Sequence, residues 1–131
     1  MLIVMASCSG SKKLSATSHQ LNGTWVPLKQ ELGGKELPAV VFASQKLVIV
    51  DSAYTFVAES TDKGTVVYNN NRMDIYGKEG VNKGKHFTAI YKYENEELII
   101  CYDLTGAAYP ETFSTNGKPM YFLVSFRKEK S

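Results

Sequence analysis

The sequence predicts an all-β fold: an eight-stranded antiparallel up-and-down β-barrel, with one short helix after the first strand. Three observations predict it. From Gly23 onward the apolar residues recur with a period of two rather than the longer period of a helix. Those residues are β-branched or aromatic, with Tyr occurring 8 times and Phe 6 times, the types that fit a pleated, half-buried surface. Gly, Asn and Asp interrupt the runs at short intervals, as hairpin turns require.

The elements follow in order. The first strand is read over 23–32. Leu37-Pro38 followed by Ala39 to Ala43 suits a short helix, with Pro38 near its N-terminus, where a missing N–H costs nothing; the stretch is also apolar enough for a strand. Strands over 46–51 and 53–59 meet at Asp51-Ser52, a tight turn. Strands over 64–69 and 72–77 meet at Asn69-Asn70-Asn71, residues that tolerate left-handed backbone. A longer loop runs from Gly77 to Gly84. Strands over 86–93 and 97–103 are joined by Glu94-Asn95-Glu96, and the last strand spans 120–128. Sequential short strands joined by hairpins favour an up-and-down barrel, whose closure removes both sheet edges. A Greek-key sandwich is the competing solution.

Composition narrows the function. Lys+Arg 15 against Asp+Glu 13 leaves a net charge of +2, which excludes a strongly basic nucleic-acid arm and an acidic tail. Tyr91-Lys92-Tyr93 interleaves aromatic and basic residues as single-strand binders do, but the near-zero charge argues against nucleic acid as a partner. No apolar run is long enough for a membrane-spanning helix. The 2 cysteines and 2 histidines show no His-x-x-x-His or Cys-x-x-Cys spacing, so no metal is expected. Cys101, in an apolar strand, reads as a buried inert thiol. His86 reads as a strand-end surface residue. Asp74 and Glu97 fall on separate strands, and nothing in the sequence pairs them. No catalytic residues and no cofactor are expected. Lys78, Lys83 and Lys85 cluster with Glu79 in one loop, either as a solvated loop or as a rim for an anionic group.

The front end carries a different signal. Residues 1–7 are almost wholly apolar, and Met5-Ala6-Ser7-Cys8 resembles the lipobox of bacterial lipoproteins, in which small residues precede a cysteine that becomes lipidated. The resemblance implies a truncated lipoprotein signal segment over 1–7, a membrane anchor on Cys8, a flexible tether over 8–20 and a barrel domain over 21–131. It implies a place in the bacterial cell envelope, on the periplasmic or outer-membrane face. Several acyl chains on Cys8 would anchor stably where one is marginal.

Leu21-Asn22-Gly23-Thr24-Trp25 looks like the Gly-x-Trp opening of lipocalins and the wider calycin group. Gly34-Lys35, Pro38, Ala89-Ile90-Tyr91, Glu94 to Glu97, Leu98-Ile99-Ile100-Cys101-Tyr102 and Tyr109-Pro110-Glu111-Thr112-Phe113 follow in the order seen in a bacterial lipocalin-like domain family of uncharacterised function. The chain resembles that family over about residues 20–129, with Tyr109 where the family has arginine. The resemblance implies that Arg127, near the end of the last strand, packs across Trp25 and closes the barrel floor, a cation–π contact worth about 0.5–2 kcal/mol.

The more apolar parity of each strand gives the expected interior face: Leu47 and Ile49; Tyr54 and Phe56; Val66 and Tyr68; Met73 and Ile75; Phe87, Ala89 and Tyr91; Leu98, Ile100 and Tyr102; Met120, Phe122, Val124 and Phe126. Of these, Phe56, Tyr68, Met73, Ile75, Phe87, Tyr91, Ile100, Phe122 and Phe126 are the candidate ligand-binding residues. Side chains of this size either fill the barrel or line a cavity in which tyrosine hydroxyls orient a mostly apolar ligand. The expected function is non-catalytic binding of a small hydrophobic molecule. The alternative is a protein-interaction or inhibitor module with a filled barrel, since both parities of Leu47 to Val50 and Ile99 to Cys101 are apolar and a partner or self-association would cover the outer one.

Overall fold

A computed structural model of the protein describes residues 21–130. The apolar segment 1–7, the lipidation candidate Cys8 and the tether 8–20 lie outside the described residues. The elements are β1 (Gly23–Leu32), β2 (Lys35–Glu36), α1 (Ala39–Phe42), β3 (Lys46–Val50), β4 (Ala53–Val57), β5 (Thr61–Asn69), β6 (Arg72–Glu79), β7 (His86–Glu94), β8 (Glu97–Asp103) and β9 (Tyr121–Lys128). Each strand from β3 to β9 pairs antiparallel with the next. β1 pairs with β3 on one side and with β9 on the other, so eight strands close into a barrel. The ninth, β2, folds back on the end of β1. Two residues show no periodicity, which is why the sequence does not announce this strand. The short helix sits where Pro38 predicts it and buries Phe42.

The turns obey the local chemistry. Asp51, Asn70, Asn95 and Glu96 adopt positive φ of 54–64° at the three tight hairpins of one barrel end. Asn22 clamps the first of these turns: its Oδ1 accepts the Asp51 N–H at 2.6 Å and its Nδ2 donates to Asp51 Oδ1 at 3.2 Å. β6 runs on to Glu79, so the expected Gly77–Gly84 loop shrinks to the stretch after it. In β1 the register with β9 shifts between Pro27 and Lys29. Leu28 takes the extra position of this bulge and stays exposed, while Pro27 and Gln30 on either side are buried. A bulge of this kind bends a strand without inverting its buried face.

The interior parity read from the sequence holds in every strand to which it was assigned. Leu47, Ile49, Tyr54, Val66, Met73, Ile75, Ala89, Tyr91, Leu98, Ile100, Val124 and Phe126 are buried in one cluster, and Phe56, Tyr68, Phe87, Tyr102 and Phe122 pack against it. Period-two patterning suffices here because a one-residue slip would turn every inward side chain out.

The outer apolar residues are not covered alike. Cys101 faces outward, between the inward Ile100 and Tyr102, yet is fully buried. The segment 104–120 runs over this outer face from β6 to β1. The Tyr109 hydroxyl donates to Asp74 on β6, the Thr88 hydroxyl on β7 donates to the Ala108 carbonyl at 2.7 Å, and Phe113 lies beneath Lys92 Nζ at 4.5 Å. Thr115, itself buried, donates to Glu31 and accepts the Gly34 N–H at 2.8 Å. Cys101 is thus buried within the chain itself, while Val50, also on an outer face, stays exposed.

Candidate functional site

The two ends of the barrel differ. The end formed by the tight hairpins is packed shut around Trp25, which is buried in β1. Its Nε1–H donates to the Leu21 carbonyl at 2.8 Å, and Tyr93 meets the indole edge-on at 6.1 Å between centroids. The cation over the ring is Lys128, with Nζ 5.7 Å from the centroid. Arg127, expected in that role, is exposed. The reason is the pleat: Phe126 is inward, so Arg127 faces out and Lys128 in. The backbone explains the glycine before this tryptophan. Gly23 sits at φ +142°, where side chains are disfavoured, whereas the flexible end of Lys128 beside it could move aside.

Above this floor the barrel is open. A cavity of about 540 Å³, within the range of small-molecule sites, is lined by Leu47, Ile49, Tyr54, Phe56, Val66, Met73, Ile75, Phe87, Ile100, Tyr102, Met120 and Phe122 from the expected inner face. Tyr68, Tyr91 and Phe126 belong instead to the packed lower part. The choice between a filled barrel and a lined cavity thus resolves along the axis: filled below, open above.

Five lining residues were not on the inward list: Leu32, Asp62, Asn82, Lys85 and Leu104. All stand at the wide end, on strand termini or in loops, where no hydrophobic alternation exists to read. Asp62 faces inward at the start of β5, is buried, and accepts the Asn82 N–H through Oδ1 at 3.0 Å. That bond holds the β6–β7 loop against the rim. Lys85 is exposed at the same rim.

Four buried or half-buried tyrosines face inward, and burial raises the pKa of each hydroxyl. Tyr68 is pushed from 10.0 up to about 12 by burial and then by Tyr91. Tyr102 is raised by burial and then by Tyr54 and Tyr68, Tyr54 by burial and then by Asp62, and Tyr91 by burial. The unfolded chain ionises these tyrosines near 10, and the folded chain holds their protons to higher pH. The stability they contribute is therefore complete below about pH 10 and is lost as pH climbs through about 12. A urea titration is expected to give a flat stability up to about pH 10 and a fall beyond it. Part of the tyrosinate absorbance should appear only as native circular dichroism disappears. Full tyrosine ionisation near pH 10 with circular dichroism intact would contradict it.

Burial pushes the Cys101 thiol up to about 11, with Glu31 and Asp103 adding to the shift, which keeps it protonated and unreactive. His86 Nε2 lies 2.7 Å from Asp74 Oδ1 and the imidazole stacks on Tyr76 at 4.7 Å. Arg72 lies over the Tyr109 ring at 4.5 Å. These side chains pin the outer strap. Among the described residues no three His, Cys, Asp or Glu side chains gather to hold a metal. The sequence matches no protein-family model and no curated protein.

Proposed function

We propose that the protein is a non-catalytic, lipocalin-like binding domain of the bacterial cell envelope. It takes a small, mainly hydrophobic molecule through the open end of the barrel and is held to the membrane by lipid on Cys8. One observation carries the binding reading: an apolar cavity of about 540 Å³ above a sealed floor. A barrel of eight strands has just the width for one small ligand or for a solid core, and here the upper half is not a solid core. The anchor rests on the Met5-Ala6-Ser7-Cys8 pattern. The alternative, an interaction module with a filled barrel, has only the lower half of the barrel on its side.

Intact mass of the full-length chain, gently extracted from its host's envelope, reads both parts. An acylated mass that Cys8→Ala removes is expected, together with a non-covalent excess that denaturation releases. Phe56→Asp and Phe122→Asp place a carboxylate against the cavity, where an unpaired charge is costly to desolvate. Each is expected to abolish the non-covalent excess while leaving circular dichroism intact, because both phenylalanines are only partly buried. Wild-type protein without such an excess, or variants that keep it, would refute the pocket.

A further inference from the structure

The tyrosines of the upper barrel carry more than a titration. Tyr54 and Tyr102 line the cavity. Tyr68 lies on the same inward face as Val66, one inward position nearer the floor. Its hydroxyl is buried, has no hydrogen-bond partner among the described residues and does not line the cavity. No described residue bonds the hydroxyls of Tyr54 or Tyr102 either. Tyr54 and Tyr68 both act electrostatically on Tyr102. An apolar ligand that covered the hydroxyls of Tyr54 and Tyr102 without pairing them would cost about 1–3 kcal/mol for each, so an occupant that offers an acceptor is favoured. Tyr91, the fourth inward tyrosine, is satisfied by the Asn70 carbonyl at 3.0 Å, so unpaired hydroxyls are not simply what this barrel does.

The charges around these hydroxyls decide what they can hold. The carboxylate of Asp62, from β5, faces the cavity and acts on Tyr54. The lining's cation, Lys85, stands exposed at the rim, away from the floor. An anion drawn to the depth of the tyrosines would lose its hydration without gaining a cation, which is prohibitive in an apolar site. A neutral acceptor has no such cost and uses hydroxyls that remain protonated throughout the physiological range.

Resting on the binding reading above, we propose that the bound molecule is an uncharged amphiphile whose carbonyl, as in an ester or ketone, is held inside the barrel by the cavity-lining hydroxyls of Tyr54 and Tyr102. Its apolar part fills the cavity. At about 30 Å³ for a water-sized group, the space suits roughly 18 non-hydrogen atoms.

The test is displacement of an apolar fluorescent probe from the full chain by methyl decanoate, decanoate and dodecane, repeated on the Tyr54→Phe/Tyr102→Phe double variant. The ester is expected to bind the wild type about tenfold more tightly than either dodecane or ionised decanoate, since each neutral hydrogen bond is worth roughly 2- to 13-fold. The double variant should lose that advantage while binding dodecane as before, which also shows that it is folded. Dodecane equal to the ester in the wild type, or an ester preference that survives the double variant, overturns the assignment but leaves the cavity reading standing. Decanoate binding best overturns it in favour of an anionic head at Lys85. Displacement by none of the three removes the binding reading itself.

Discussion

Trp25→Ala is expected to destabilise the barrel by about 3–5 kcal/mol, a large share of the roughly 5–15 kcal/mol available to a single domain. The substitution empties the centre of the floor, where the indole is almost wholly buried. It strips Tyr93 of its edge contact and Lys128 of the ring beneath it. It also removes the N–H that satisfies the Leu21 carbonyl. Trp25→Phe should cost less, because an aromatic ring remains and only the hydrogen bond and part of the volume are lost. Arg127→Ala should change stability by less than about 0.5 kcal/mol, as an exposed surface substitution does. Urea unfolding of the three variants reads these numbers directly. An Arg127→Ala loss rivalling that of Trp25→Ala would return the floor-closing role to the arginine and refute the assignment to Lys128.

Gly64→Ala is expected to cost about 3 kcal/mol, at the upper end of what overpacking produces. Gly64 follows the register irregularity between Lys63 and Gly64 where β5 meets β6. It is buried and faces inward opposite Tyr54. A Cβ there would come within 2.0 Å of the Tyr76 carbonyl oxygen and within 2.6 Å of the Tyr54 ring. The first contact is with backbone on the neighbouring strand, so no rotamer change relieves it; the strand itself must move. A glycine inside a strand often marks such close approach, and here it lets Tyr54 lie flat against the barrel wall beside the cavity. The variant should therefore lose probe binding as well as stability. The loss should exceed that of Gly117→Ala, whose added methyl meets nothing and carries only the strain of its φ of +71°. Unfolding curves in which Gly64→Ala matches the wild type would show that the bulge absorbs a side chain freely.

These two positions also show how the sequence can mislead. The Gly-x-Trp opening marks the floor of the barrel correctly, but the family resemblance assigns the covering cation to Arg127, whereas the period of two, which puts Phe126 inward, already points Arg127 outward and Lys128 in. The local rule wins because a strand paired on both sides, as β9 is by β8 and β1, cannot rotate one side chain across the sheet. Gly64 gives no such signal. Nothing near it in sequence shows that Tyr76 and Tyr54 press on its Cα.

Alternation of β-branched and aromatic residues with polar ones was enough, alone, to determine an all-β chain, its barrel strands to within a few residues, and the inward set that includes Phe56, Met73, Ile75, Phe87, Ile100 and Phe122. Burial of one face of a pleated strand leaves that imprint at every second residue. Tertiary structure decided what contacts between distant segments set. Trp25, Tyr91 and Phe126 fill the lower barrel while the upper half stays open. The segment 104–120 lies along the outer wall, fastened at Asp74, Thr88 and Glu31. Asp62, Asn82 and Lys85 meet at one rim. Those features depend on pairings between residues tens of positions apart, and loops and strand ends have no periodicity in which to record them.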